Sequence, residues 1–321
     1  MRISHGLPNA KSLPKGCALT IGNFDGVHRG HQAMLALLTS EARHRGLPSC
    51  VLSFEPHPRD HFARKAGRPE LAPTRIATLR DKLVELRRCG IDHAVVLRFD
   101  ETLASMPPQA FIDDVLVQGL GARYVLVGDD FSFGAKRAGN YATLDAAGAG
   151  AGFDVARMLS YEVHGLRVSS SAVREALAGG DMARATALLG RPYSISGHVV
   201  HGAKLGRELG FRTLNLRFGH PRPAASGIFV VQVQGLQAQP LQGVASLGVR
   251  PTIEGGGRVL LEVHCLDWPA ALGSDGGYGR CIQVDLLHKL HDELKYPSLD
   301  ALRNGIAADT AAARRWFEEK S

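Results

Sequence analysis

CALTIGNFDGVHRGHQAMLALL, residues 17–38, carries the reading that decides the fold. Its first six residues form an apolar run of strand length. Met34, Leu35, Leu38 and Ala42 then recur at helical spacing until Gly46. Between the two lies GNFDGVHRGH (22–31), where Gly22, Gly26 and Gly30 let a backbone come close to a ligand. The pattern continues downstream. PSCVLSF (48–54), DHAVVLRF (92–99) and YVLVG (124–128) read as strands, and RIATLRDKLVELRRCG (75–90) and PPQAFIDDVLVQGL (107–120) as helices. Strands alternating with helices predict an α/β domain on a doubly wound, mostly parallel sheet. Ligands on such a sheet sit at the carboxyl ends of strands, near a switch in strand order.

From about residue 193 the texture changes. SISGHVV (194–200), GIFVVQV (227–233), GVASLGV (243–249), RVLLEVHCLDW (258–268) and CIQVDLLHKL (281–290) are short strand-like runs, with EGGG (254–257) and SDGG (274–277) among their turns. That spacing predicts a small antiparallel β-barrel. A C-terminal helix follows, with Ser298 as its N-cap and Leu302, Ile306, Ala313 and Trp316 as its apolar stripe. The division falls near 185, giving domains at 1–184 and 185–321.

Composition narrows the function. A chain of 321 residues with 45% apolar content can build two cores. No run approaches the ~18 apolar residues of a membrane span. The N-terminus MRISHGLPNAKSLPKG has no apolar signal core, and the five cysteines are never spaced as CxxC. Both features predict the cytoplasm. The net charge of +7 is scattered, and aromatics make up only 6% of the chain. The balance therefore leaves small phosphorylated ligands open, and the expectation is no nucleic acid and no membrane as partners.

Four constellations could carry chemistry. In GNFDGVHRGH, His28 and His31 share a face if the first turn is helical, and a helix N-terminus attracts anions; a bare HxxH also describes two exposed loop histidines. The loop is not a Walker A motif, whose nearest match, GAKRAGN (134–140), lacks the lysine and hydroxyl. In RVSSSAVREAL (167–177), Ser169 and Ser170 with Arg174 make either a phosphate clamp or a plain N-cap. In GAKLGRELGFRTLNLRF (202–218), Thr213 and Asn215 share a face if extended. Their oxygens suit Mg2+, and the same spacing describes an ordinary strand with polar outer residues. In RVLLEVHCLDW, Glu262 and His264 share a strand face, so Glu262 is either a salt-bridged barrel residue or a general base.

The chain resembles the bifunctional riboflavin kinase/FMN adenylyltransferases, or prokaryotic FAD synthetases. The resemblance rests on GNFDGVHRGH, FEPHP (54–58), VGDDFSFG (127–134) and VSSSAVREALAGGD (168–181) in the first half. In the second it rests on LLGRPYSISGHVVHG (188–202), GRELGF (206–211), SLGVRPT (246–252), LLEVHCLDW (260–268) and KLHDELKYPSLDAL (289–302). It implies a nucleotidyltransferase-type domain followed by a riboflavin kinase barrel. The implied substrates are riboflavin, FMN and ATP, with Mg2+, and the products FMN, then FAD and pyrophosphate. The alternative is a lone FMN adenylyltransferase with a degenerate kinase half.

By the same resemblance His28, His31 and Arg174 act on the ATP phosphates. Gly22, Asn23, Phe24, Gly30, Ser169 and Ser170 complete that nucleotide site, and His57, Pro58 and Asp130 line the flavin side. In the kinase half Glu262 is the general base, and Thr213 and Asn215 hold the metal. Gly202, Lys204, Gly206 and Arg207 form a flap over ATP, and Arg250 assists flavin or phosphate binding. The family's PTAN reads RTLN here. Arg212 and Leu214 fall on the strand face opposite Thr213 and Asn215, so the metal oxygens survive, but the proline's fixed backbone is lost at 212.

Overall fold

The structure is a computed structural model describing residues 1–8, 13, 15–159, 161–163, 166–202, 210–219, 222–250, 258–273 and 276–320. It divides into two compact units, Met1–Pro73 with Lys82–Ser169, and Thr74–Asp81 with Ser170–Ser321.

In the first unit β1 (Arg2–His5), β2 (Cys17–Ile21), β3 (Ser49–Glu55), β4 (His93–Arg98), β5 (Ala122–Gly128) and β8 (Asp154–Met158) form one sheet. Its order is β1-β4-β3-β2-β5-β8, and every pair is parallel. Short ribbons β6 (Ser132–Phe133) with β7 (Gly139–Asn140), and β9 (Glu162–Val163) with β10 (Leu166–Arg167), lie outside it. The unbroken apolar run of β2 has its cause here: a parallel sheet is covered on both faces. Alternate residues serve the two faces. Cys17, Leu19 and Ile21 pack with Phe111, Ile112 and Leu116, while Ala18 packs with Leu35, Leu38 and Leu86.

The helices are α1 (Arg29–His44), α2 (Pro58–Lys65), α3 (Leu79–Arg88), α4 (Glu101–Ala104), α5 (Pro108–Ala110), α6 (Tyr141–Ala151), α7 (Ser170–Ala178), α8 (Met182–Leu189) and α9 (Leu299–Glu318). Two depart from expectation. The stretch 107–120 is helical, but Phe111–Gly119 takes the wider π pitch, which an apolar pattern does not signal. The helix expected over 75–90 begins only at Leu79, because Thr78 receives the Asp81 amide at 3.1 Å and gives its hydroxyl to the Asp81 carboxylate at 2.7 Å. The residues before it are not helical, and Arg75 exchanges backbone hydrogen bonds with Arg222 and Ala224.

The second unit is a closed antiparallel barrel of β11 (Tyr193–Val200), β12 (Thr213–Arg217), β15 (Arg258–Cys265), β14 (Leu241–Arg250), β13 (Gly227–Gln234) and β16 (Cys281–His291), in that order. Leu216, Phe229, Val231, Leu247, Leu261 and Val263 are fully buried. Outside, Val230 and Val244 pack against Ala313 and Phe317 of α9. Ser298 caps α9, accepting from the Ala301 amide at 3.1 Å.

Candidate active sites

The first site is built on the turn between β2 and α1. Because β2 starts both halves of the 1-4-3-2-5-8 order, this turn leaves the sheet at its switch point. The Gly22 amide bonds the Leu52 carbonyl at 3.0 Å. The chain then takes positive φ at Phe24 (49°), Gly26 (84°) and Val27 (40°), and both non-glycine side chains are fully buried. Gly22 makes room for Phe24: a Cβ there would sit 3.0 Å from the ring.

His28 is the N-cap of α1, its Nδ1 accepting from the His31 amide at 3.3 Å. The neutral ring therefore carries its proton on Nε2. The His31 ring stacks on it, with centroids 3.7 Å apart and 16° between planes, and Phe24 tilts against His31 at 4.9 Å. A Cβ at Gly30 would meet both the His28 ring and the Val168 carbonyl at 3.3 Å, so this glycine seats the histidine against the chain leading to Ser169. The two histidines thus form one assembly at a helix N-terminus rather than two loose loop residues.

Asn23 has a buried Oδ1 with no hydrogen-bond partner among the described residues. Asp130 is exposed, its Oδ1 lying 3.4 Å from where a Cβ on Gly128 would stand, with Met34 of α1 beside the same glycine. His57 caps α2, its Nδ1 accepting from the Arg59 amide at 3.1 Å, and Pro58 is the first residue of that helix. Ser169 is half-buried at the end of the first unit. Ser170 opens α7 in the second unit. Arg174, one turn on, donates Nε to the Thr74 carbonyl at 2.6 Å.

The second site comes from strand register. Antiparallel pairing puts Asn215 opposite Glu262 and Thr213 opposite His264. Directly opposed residues share a sheet face, so the hydroxyl–amide pair and the carboxylate–imidazole pair of the sequence form one patch. On the other side of β15, Ser246 is opposite Glu262. Thr213, Ser246, Glu262 and His264 line a cavity of about 280 Å³, together with Glu293, Leu294 and Tyr296 and with Leu302, Ile306 and Asp309 of α9. Asn215 is buried, and Gly202 lies so close that a Cβ would meet its amide at 2.5 Å.

His264 Nδ1 bonds the Arg212 carbonyl at 2.9 Å; since a carbonyl only accepts, Nδ1 carries the proton. Burial pulls the His264 pKa down, and that bond opposes the shift only partly. Burial pushes the neighbouring Cys265 thiol up to about 12, leaving it inert. Arg212 is itself anchored: its guanidinium lies 4.9 Å from the Trp268 ring centre and donates to the Gly273 carbonyl at 3.0 Å. The position that lost proline has gained other restraints. Lys204, Gly206 and Arg207 lie outside the described residues, as does the side chain of Arg250, the last residue of β14.

Both halves of the chain match known families. The FAD synthetase family matches residues 10–172 and the riboflavin kinase family residues 189–317. The chain is 45% identical over 318 residues to the bifunctional riboflavin kinase/FMN adenylyltransferase of Escherichia coli K12, covering 99% of this chain and 98% of that one. The chain belongs to the bifunctional riboflavin kinase/FMN adenylyltransferase family. A Pseudomonas fluorescens relative of the same name is 45% identical over 314 residues, covering 98% of this chain and 97% of its own. A crystal structure described as a macrolide-efflux protein from Streptococcus pneumoniae shares the fold, with TM-score 0.77 and 28% identity over 98% of this chain and 100% of that one. Among the described residues no helix is long and apolar enough to cross a membrane. Both halves match, so the chain is a transferase with both activities, and the reading with a degenerate kinase half falls away.

Sequence reasoning missed the cavity wall of Ser246, Glu293 and Tyr296. They come from β14 and from the stretch between β16 and α9, which only barrel closure brings together, and no spacing signals that.

Proposed function

We propose that the cavity beside Glu262 takes riboflavin and that the His28–His31 turn takes the second ATP, with FMN passing from the first reaction to the second. The observation that carries this reading is the register that puts Asn215 opposite Glu262. A general base and a hydroxyl donor then line one cavity, with the Asn215 amide on the same strand face beside them.

In the kinase step the ribityl 5′-oxygen attacks the γ-phosphorus of ATP. The new O–P bond forms as the bond to the β,γ-bridging oxygen breaks, Glu262 takes the hydroxyl proton, and ADP leaves. Thr213 and Asn215 fit a magnesium ion: both are neutral hard oxygen donors on one face, and Gly202 leaves the Asn215 amide uncrowded. Mg2+ held there would neutralise phosphate charge. Gly202 and the Lys204, Gly206 and Arg207 stretch cover the nucleotide, and Arg250 assists from the end of β14. Neutral His264 holds the Arg212 backbone and thereby the start of β12.

In the adenylyl step an FMN phosphate oxygen attacks the α-phosphorus of ATP, and the bond to the α,β-bridging oxygen breaks to release pyrophosphate. No covalent enzyme intermediate is needed. His28, whose neutral ring carries its proton on Nε2, and His31 donate to the phosphates as charge builds on the leaving group. Ser169, Ser170 and Arg174 hold the triphosphate. Gly22 and Gly30 keep the turn tight, and Asn23 and Phe24 complete the nucleotide site. His57, Pro58 and Asp130 border the flavin. The five free cysteines suit the reducing cytoplasm.

The test is a product assay started separately from riboflavin and from FMN with ATP and Mg2+. FMN and FAD from the first, and FAD with pyrophosphate from the second, are expected; absence of FMN from riboflavin would overturn the kinase assignment.

A further inference from the structure

Lys82 is among the most deeply buried side chains of the first unit, 2% exposed, and none of the roles above uses it. It is the fourth residue of α3. Its Nζ donates to Ser53 Oγ at 3.2 Å, and Ser53, itself buried on β3, donates that hydroxyl to the Asn23 carbonyl at 3.3 Å. A serine hydroxyl has one proton and two acceptor lone pairs, and an ammonium only donates. The direction of the relay is therefore fixed: Lys82 to Ser53 to Asn23. A cation feeding a hydroxyl in a dry setting strengthens the bond the hydroxyl makes onward.

The receiving carbonyl belongs to the peptide bond between Asn23 and Phe24. Holding its direction holds ψ of Asn23 and φ of Phe24, and Phe24 is one of the two non-glycine residues at positive φ in the turn. Such a backbone persists only where its surroundings over-determine it. Phe24 in turn touches His31, which stacks on His28.

We propose that Lys82 is a positioning residue for FMN adenylylation: through Ser53 it fixes the Asn23 carbonyl and so the turn that presents His28 and His31 to ATP. The inference rests on reading residues 22–31 as the nucleotide turn.

Lys82→Met and Ser53→Ala, each in the full chain, are assayed for FAD formation from FMN across ATP concentrations, with FMN formation from riboflavin as the control. Each variant is expected to raise KM for ATP in adenylylation by about tenfold, since small misplacements at a site carry penalties of this order or more. Ser53→Thr, which keeps the hydroxyl, is expected to restore most of the affinity, and FMN formation should stay unchanged. Partial unfolding would lower kcat at unchanged KM, so the split separates positioning from damage. His28→Ala is run alongside. If it abolishes FAD formation while Lys82→Met and Ser53→Ala both leave KM for ATP unaltered, the relay is wrong. If His28→Ala has no effect on FAD formation, the nucleotide-turn reading itself fails.

Discussion

His28 caps its own helix through Nδ1, and in the proposed reaction its Nε2–H donates to phosphate. Replacement by alanine removes both uses, so His28→Ala should lose FAD formation by about 10²-fold or more and some stability, about 1 kcal/mol from the cap. His28→Asn keeps the capping oxygen and separates the two effects: activity should stay low while Tm recovers. Neither change should alter FMN formation from riboflavin. Glu262→Gln should lower the kinase rate by about 10²- to 10⁴-fold, with FAD formation from added FMN unchanged. These residues were legible because their motifs are local in sequence. Arg212 was legible only as a lost proline. Its contact with Trp268 and its bond to Gly273 join residues 56 and 61 positions apart, and no local pattern encodes them. Arg212→Ala should therefore lower stability by about 0.5–1 kcal/mol at this partly exposed site, read as a lower Tm.

At the scale of elements, β12 and β15 each offered an ambiguous pair of polar residues, and pairing put both on one face of the barrel. The period of two told which residues share a face; it could not tell that Asn215 would meet Glu262, because register between strands some 45 residues apart is set by barrel closure. The parallel sheet was legible from its doubly buried strands, whereas the π pitch of Phe111–Gly119 and the late start of α3 were not, since one is a helix variant and the other depends on a local cap and on pairing near Arg222. Gly202 connects element to site. In Gly202→Ala the new methyl would meet the Asn215 amide, and the side chain must shift. Kinase KM for ATP should rise several-fold with adenylylation untouched, as measured by separate assays from riboflavin and from FMN.

For the whole molecule, charge and pH link the two units to stability. His93 in the sheet and His264 in the barrel are both held below the ordinary histidine pKa by burial. The unfolded chain takes up these protons near pH 6.5 and the folded chain only at lower pH. Their stabilising contribution is present above about 6.5 and is lost as pH falls toward the folded values. His291 runs the other way. Burial pulls it down, but the Asp309 carboxylate and the Asp292 carbonyl raise it overall, so its contribution is present at low pH and lost as pH rises through its folded value. Tm measured from pH 7.5 to 5.5 should therefore fall less steeply in His93→Gln and His264→Gln than in the parent, and more steeply in His291→Gln. The start of the barrel strands was legible in the change of texture near residue 193. The excursion of Thr74–Asp81 into the second unit was not, because eight residues ending in the first turn of a helix leave no compositional trace. That excursion makes the chain cross between units three times, so sequence order and spatial order part company. A fragment of residues 185–321 would leave the Arg222 carbonyl and Ala224 amide without Arg75, and Ser196 without the Asp81 carboxylate. It should melt below the intact chain in calorimetry. The two activities are consecutive as text, but the barrel unit borrows residues from the middle of the first half, and a single stop codon is the wrong tool for parting them.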